Sequence, residues 1–380
     1  MSERPKTTDP LSPSRVWLKV GVVMILPIVA TVLLVGNGLR ENSDAATRAE
    51  RTHGLATVVQ ASGDLVENLQ NERAAAALLL ADVNPARRGR DQSAYDRARA
   101  AVTGVATAYG DRRGELRDVP PAIATTLDEI DGGLRTLPDL RSAVASGKVS
   151  FTDATRGYNA LVDNLLRVRD NAAQTAGDAA LSQSMRAAAA VARGKEQLSQ
   201  ERLTVLQGYA AGALNANLRT QFIAAQTGVV QSLESFASVA TQDEQTRFND
   251  TVAGAKLRTS VAFASWVTGA MPPDGNLSNA PFNADSWDTA LKDHGALIRD
   301  LERQLDGAVV DRAATARDDG RREALVEAGV PLAILLLAIL LAVLVARSMT
   351  RARRDPRDGA GVPGGPVDPD RPLATTAAGR

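Results

Sequence analysis

The chain has 380 residues, no cysteine and a formal net charge of zero. That length allows one large or two modest domains. The missing cysteines exclude disulfides, thiolate metal sites and cysteine nucleophiles, and the balanced charge gives no bulk electrostatic case for nucleic acid or an acidic partner.

Aromatic residues are only 3%, alanine is abundant and Val/Ile/Thr alternation is rare, which is the composition of an all-α protein. A basic tail, residues 1–19 with Arg4, Lys6, Arg15 and Lys19, precedes the uncharged run "VGVVMILPIVATVLLVGNGL" at residues 20–39. At ~1.5 Å per helical residue such a run covers a hydrocarbon core of ~30 Å, and Pro27 is tolerable in a membrane helix. A cleaved signal peptide is the alternative. The run is long for one, and no clear small-x-small site follows.

Residues 44–82 then read as one long helix. In it, Leu65, Leu69, Arg73, Ala76 and Leu80 share one face, so an arginine stands in the middle of an apolar stripe. "NPARRGR" is expected to break this helix at Pro85 and Gly89, and a second helix spans 91–117. "DVPPAI" opens a third, with Pro120 and Pro121 in its first turn. A turn at Gly147 leads to another helix, with Thr152 or Asp153 as its N-cap. Further on, "LSQERLTVLQGYA" sets Leu198, Arg202, Val205, Leu206 and Tyr209 on one face, again with Glu immediately before the Arg. A proline break at "MPPDG" precedes the last helix outside the membrane. The spacing predicts no strand.

Arg73 and Arg202 are 129 positions apart, as are "YNALVDNLLRVRD" from Tyr158 and "WDTALKDHGALIRD" from Trp287. The shared offset predicts two related helical halves, about 55–180 and 185–310. Residues 328–346, "AGVPLAILLLAILLAVLVA", form a second uncharged run. Arg347, Arg351, Arg353, Arg354 and Arg357 follow it, in a Pro- and Gly-rich tail, 347–380, with the composition of disorder. Basic residues thus flank both runs on their outer sides. The expectation is two transmembrane helices in the cell membrane, both termini cytoplasmic, and residues 40–327 outside as an extracytoplasmic double helical bundle in contact with a lipid bilayer.

His53 and His294 stand far apart with no ligand cluster around them, so both are expected as surface residues, with no metal site and no cofactor. No nucleophile–base pair or phosphate loop suggests an enzyme. What remains is the pair of arginines on apolar stripes. A buried arginine needs a partner. One candidate is a carboxylate, Glu72 or Glu201 from the facing half. The other is a small planar oxyanion matched to the guanidinium fork.

"LQNER", the second "QER" and "FNDTVAGAKLRTSVAFASW" resemble the nitrate- and nitrite-sensing (NIT) domain, over roughly residues 55–310. The flanking runs, and the "VARSMTR" that follows the second, resemble the membrane topology and linker of actinobacterial sensor histidine kinases. The resemblance implies an all-helical double bundle that binds nitrate or nitrite through arginines, and it carries that role to Arg73 and Arg202. The sequence departs from the family at Ala74, where a glycine often follows the first Glu-Arg. It also shows no phospho-acceptor histidine, ATP loop or antitermination module. The expected function is a membrane-anchored sensor of a small oxyanion, a homodimer candidate that signals through a separate kinase or regulator. A structural membrane protein whose ectodomain dimerises without ligand is the alternative.

Overall fold

The computed structural model describes the backbone of residues 13–81 and 85–352. Side chains are described from residue 45 onward, apart from 82–86 and several in 327–352. The described chain is helical, without a strand: α1 Pro13–Ala81, α2 Pro85–Glu115, α3 Pro121–Ala145, α4 Phe151–Thr175, α5 Ala179–Ala211, α6 Ala216–Val239, α7 Gln242–Thr251, α8 Ala255–Gly269 and α9 Ala284–Ala352. It divides into two units, Gly36–Glu327 and a second formed by Met1–Val35 with Ala328–Arg380.

Local chemistry explains most of the helix ends. Pro121 occupies the first turn of α3, where its missing N–H costs nothing. Ser150, rather than Thr152 or Asp153, caps α4. Its hydroxyl accepts from the Asp153 amide, because the chain leaves the left-handed Gly147 (φ 66°) in time for Ser150 to take the extended cap conformation. Asp178 and Asn215 cap α5 and α6 in the same way. Thr241 and Glu244 form a reciprocal capping box on α7. Gly89 does not break a helix: α2 begins at Pro85 and runs through it.

Two apolar cores fill the Gly36–Glu327 unit. The first joins α1 to α2, α3 and α4 through Leu55, Leu65, Leu69, Val102, Ile130, Val162 and Leu165. The second joins α5, α6, α8 and α9 through Leu203, Leu206, Phe222, Val267, Trp287 and Leu301, with Ala74 and Ala77 of α1. Most of the aromatic side chains lie in the second core, where Trp287 packs on Phe282 and Phe222 at 5.1 and 6.1 Å. Small residues allow close helix approach. A Cβ at Gly133 or Gly157 would fall within 2.9 or 2.8 Å of Leu161 or Leu140 across the α3–α4 contact. α5 is buried on nearly every side, with an alanine run from Ala187 to Ala190. It is therefore a central helix rather than a surface one.

Among the described residues, no helix is long and apolar enough to cross a membrane. The side chains of the run at 20–39 lie outside the described residues, as do several in the run at 328–346. The tails 1–12 and 353–380 lie outside them as well.

Candidate functional site: a buried arginine–carboxylate network

Arg73 is 1% exposed and its guanidinium is fully engaged at one end. Nη1 and Nη2 fork onto the Glu196 carboxylate of α5 at 2.9 and 3.0 Å. Nη2 also donates to Ser199 Oγ at 2.8 Å, and Nη1 donates to Asn159 Oδ1 of α4. Gln70 and Gln200 donate to the same Glu196 carboxylate. One donor is left over: Arg73 Nε, buried and without a hydrogen-bond partner.

Arg202, on α5, is also buried. Its Nε donates to Asp288 of α9 at 2.7 Å and its Nη1 donates to Asn71 of α1 at 2.9 Å. The arrangement echoes that of Arg73. Asn159 lies 86 residues after Arg73, and Asp288 lies 86 residues after Arg202. Each arginine also reaches across between α1 and α5. The sequence thus placed both arginines correctly as buried, but not their partners. Glu72 and Glu201 each sit about 100° further round the helix from the arginine beside them, and they point elsewhere.

Glu72 has an environment of its own. Arg141 forks onto it at 2.7 and 2.6 Å, and the Tyr158 hydroxyl donates to it at 2.8 Å, with Tyr95 next in line at 3.1 Å. Burial pushes the Tyr158 phenol far up, and the neighbouring Glu72 charge adds to the shift. Glu201 contrasts with it. It is 3% exposed and receives no hydrogen bond or ion pair from the described residues. Burial alone pushes its carboxyl up to about 8. The positions corresponding to Arg141 and Tyr158 at the 129-residue offset are Ala270 and Trp287. Neither side chain can offer the donors that Glu72 has. Trp287 spends its indole N–H on the Arg202 carbonyl.

A second charged layer joins the same four helices. Arg169 of α4 forks onto Asp306 and also reaches Glu302. Lys195 meets Glu302 at 2.7 Å and Glu67 at 3.4 Å. Arg299 meets Glu302 and Asp64, both at 3.0 Å. Burial would raise Glu302, but Lys195, Arg169 and Arg299 outweigh it and hold this carboxylate at about 2. His294 is buried rather than on the surface, with Nδ1 2.9 Å from Ser260 Oγ, and burial lowers it to about 4. Neither arginine lines the cavity of about 440 Å³ bounded by Arg51, Leu116, Arg117 and Arg321. The Arg73 site is closed by its own side chains.

The described residues thus form a two-core helical bundle whose central helices carry matched, buried arginines. The family model for nitrate and nitrite sensing matches residues 64–310, well over half of the chain, and the protein belongs to that NIT family. It is similar to the solved structure of the NasR transcription antiterminator, with a TM-score of 0.64 and 18% identity over 80% of this chain and 83% of that one. At that identity the likeness establishes the fold. No curated protein matches the chain.

Proposed function

We propose that residues 40–327 are an extracytoplasmic sensor of nitrate or nitrite, anchored in the cell membrane by residues 20–39 and 328–346 with both termini cytoplasmic. Arg73 and Arg202 are the ligand-contacting residues, and the signal leaves through a separate kinase or regulator. The observation that carries this reading is the matched pair of buried arginines within a NIT-family domain, each with donors to spare. Arg73 keeps an unpartnered Nε–H. Arg202 bonds through Nε and Nη1 and makes no hydrogen bond through Nη2 among the described residues. Nitrate is planar and offers the guanidinium edge what a carboxylate offers. An anion arriving at Arg73 competes with Glu196, which keeps Gln70 and Gln200 as donors when it is displaced. Such an exchange alters the tie between α1 and α5.

Anchoring is supported by Val330, Ile334, Leu336, Leu337, Ile339, Leu340, Leu341, Val343 and Leu344, all more than half exposed along α9. They cover well over half of the helix circumference, and the sequence 328–346 has no charged residue on any side; a helix apolar all round needs lipid or protein around it. Calorimetric titration of the full chain in detergent with nitrate, nitrite, chloride and sulfate tests the ligand. Reporter fusions at each terminus test the topology.

One observation favours a second reading, a structural helical module without ligand: both arginines already have carboxylate partners, Glu196 and Asp288. On that reading the titration shows no heat with any of the four anions.

A further inference from the structure

Outside residues 325–344, four large apolar side chains stand well clear of the protein among the described residues. They are Ile223, Val230, Leu233 and Val261. The first three lie on α6. Arg219, Ile223, Gln226, Val230, Leu233 and Ala237 recur at alternating spacings of four and three, the spacing of a helix–helix seam. The face that α6 buries against its own core is a different one, formed by Leu218, Phe222, Ala225 and Phe236.

α6 is also poor in charge. Its 24 residues include only Arg219 and Glu234 as charged side chains, in a chain that is 23% charged. Neither has an ion-pair partner among the described residues. Arg219 gives one N–H to the Pro272 carbonyl at 2.8 Å, and Glu234 bonds to nothing.

We infer that this face of α6 binds the same face of a second copy of the chain, antiparallel, about a twofold axis beside Gln226 and Thr227. The face is complementary to itself. Setting Ile223 opposite Val230 of the second copy brings Arg219, four residues before Ile223, opposite Glu234 of the second copy, four residues after Val230. The twofold repeats both pairs. One register therefore pairs Ile223 with Val230 twice, leaves Leu233 at the edge of the seam opposite Thr220, and neutralises both unpaired charges. An unrelated partner or a lipid surface would not require that match between the two ends of one helix.

The absence of native cysteine makes the test direct. The full chain in mild detergent should have the mass of a dimer by light scattering. A single Thr227→Cys change, beside the axis, should give a disulfide-linked dimer under mild oxidation, while Thr125→Cys on exposed α3 should not. Val230→Asp should weaken dimerisation by about a hundredfold or more, with helix content unchanged, because an unpaired carboxylate would face an apolar seam. Glu234→Arg should weaken it by roughly tenfold, and adding Arg219→Glu should restore it. A monomer at every concentration would overturn the inference. So would a dimer that links no better through Thr227→Cys than through Thr125→Cys, one that survives Val230→Asp, or one whose charge swap restores nothing.

Discussion

Replacing Glu201 by Gln isolates an unusual group in the bundle. The carboxyl is buried, without a donor, and pushed from the ordinary 4.5 up to about 8. An acid whose folded value lies above its unfolded value is bound more tightly to its proton in the folded state. Its stability is therefore highest below about pH 4.5, falls as pH rises towards 8, and is level above that. The difference of roughly 3.5 units corresponds to a loss on the order of 5 kcal/mol across the window, and about 3 kcal/mol by pH 7. Glutamine keeps the shape and removes the titration. The assay is urea unfolding of the full chain and of Glu201→Gln at pH 5, 6, 7 and 8, followed by far-UV circular dichroism. Other groups titrate too: Asp163 is raised by burial, and then by Glu196. The difference between the two chains is consequently the quantity to read. It should be small at pH 5 and grow in favour of Gln by a few kcal/mol at pH 8. Parallel profiles at every pH would refute the reasoning, since they would mean that Glu201 finds a partner or water that the packing does not reveal.

Two further substitutions probe the networks on either side. Gly63→Ala would ordinarily help a helix by up to ~1 kcal/mol. Here the new Cβ falls 2.3 Å from Arg299 Nη1, a guanidinium held between Asp64 and Glu302, so a net loss of about 1–3 kcal/mol is expected in urea unfolding. Tyr158→Phe removes the hydroxyl that donates to buried Glu72 and should cost about 1–3 kcal/mol, with nitrate affinity unchanged, because this contact belongs to the Arg141 side of α1.

Much of the architecture is legible in the residues. Alanine-rich periodic runs, Pro121 at a helix start and the apolar stripes around Arg73 and Arg202 all point to packed helices with arginines turned inward. The partners of those arginines are not legible. Glu196 lies three residues before Ser199 and six before Arg202, on a helix buried all round. Only the packing of α1 against α5 selects it over the adjacent Glu72 or Glu201. Asp288 is likewise one of two acids in "WDTALKDHG". The cap of α4 is missed because Ser150, Thr152 and Asp153 are all good caps, and the turn at Gly147 decides among them. His294 reads as polar and exposed until α8 brings Ser260 against its ring.

The most direct test of the sensing account measures nitrate affinity and unfolding temperature together on the full chain, on Arg73→Ala and on Arg73→Lys. If Arg73 contacts the anion, the unmutated chain binds nitrate and Arg73→Ala loses roughly one to two orders of magnitude in affinity. Arg73→Lys recovers little of that, because an ammonium lacks the fork. Some loss of melting temperature accompanies both changes, since Glu196 is left with Gln70 and Gln200 alone in Arg73→Ala and loses the two-point fork in Arg73→Lys. A large fall in melting temperature on Arg73→Ala, on the order of 3–5 kcal/mol of stability, with no nitrate binding by the unmutated chain, would contradict the sensing account and leave Arg73–Glu196 as a structural ion pair.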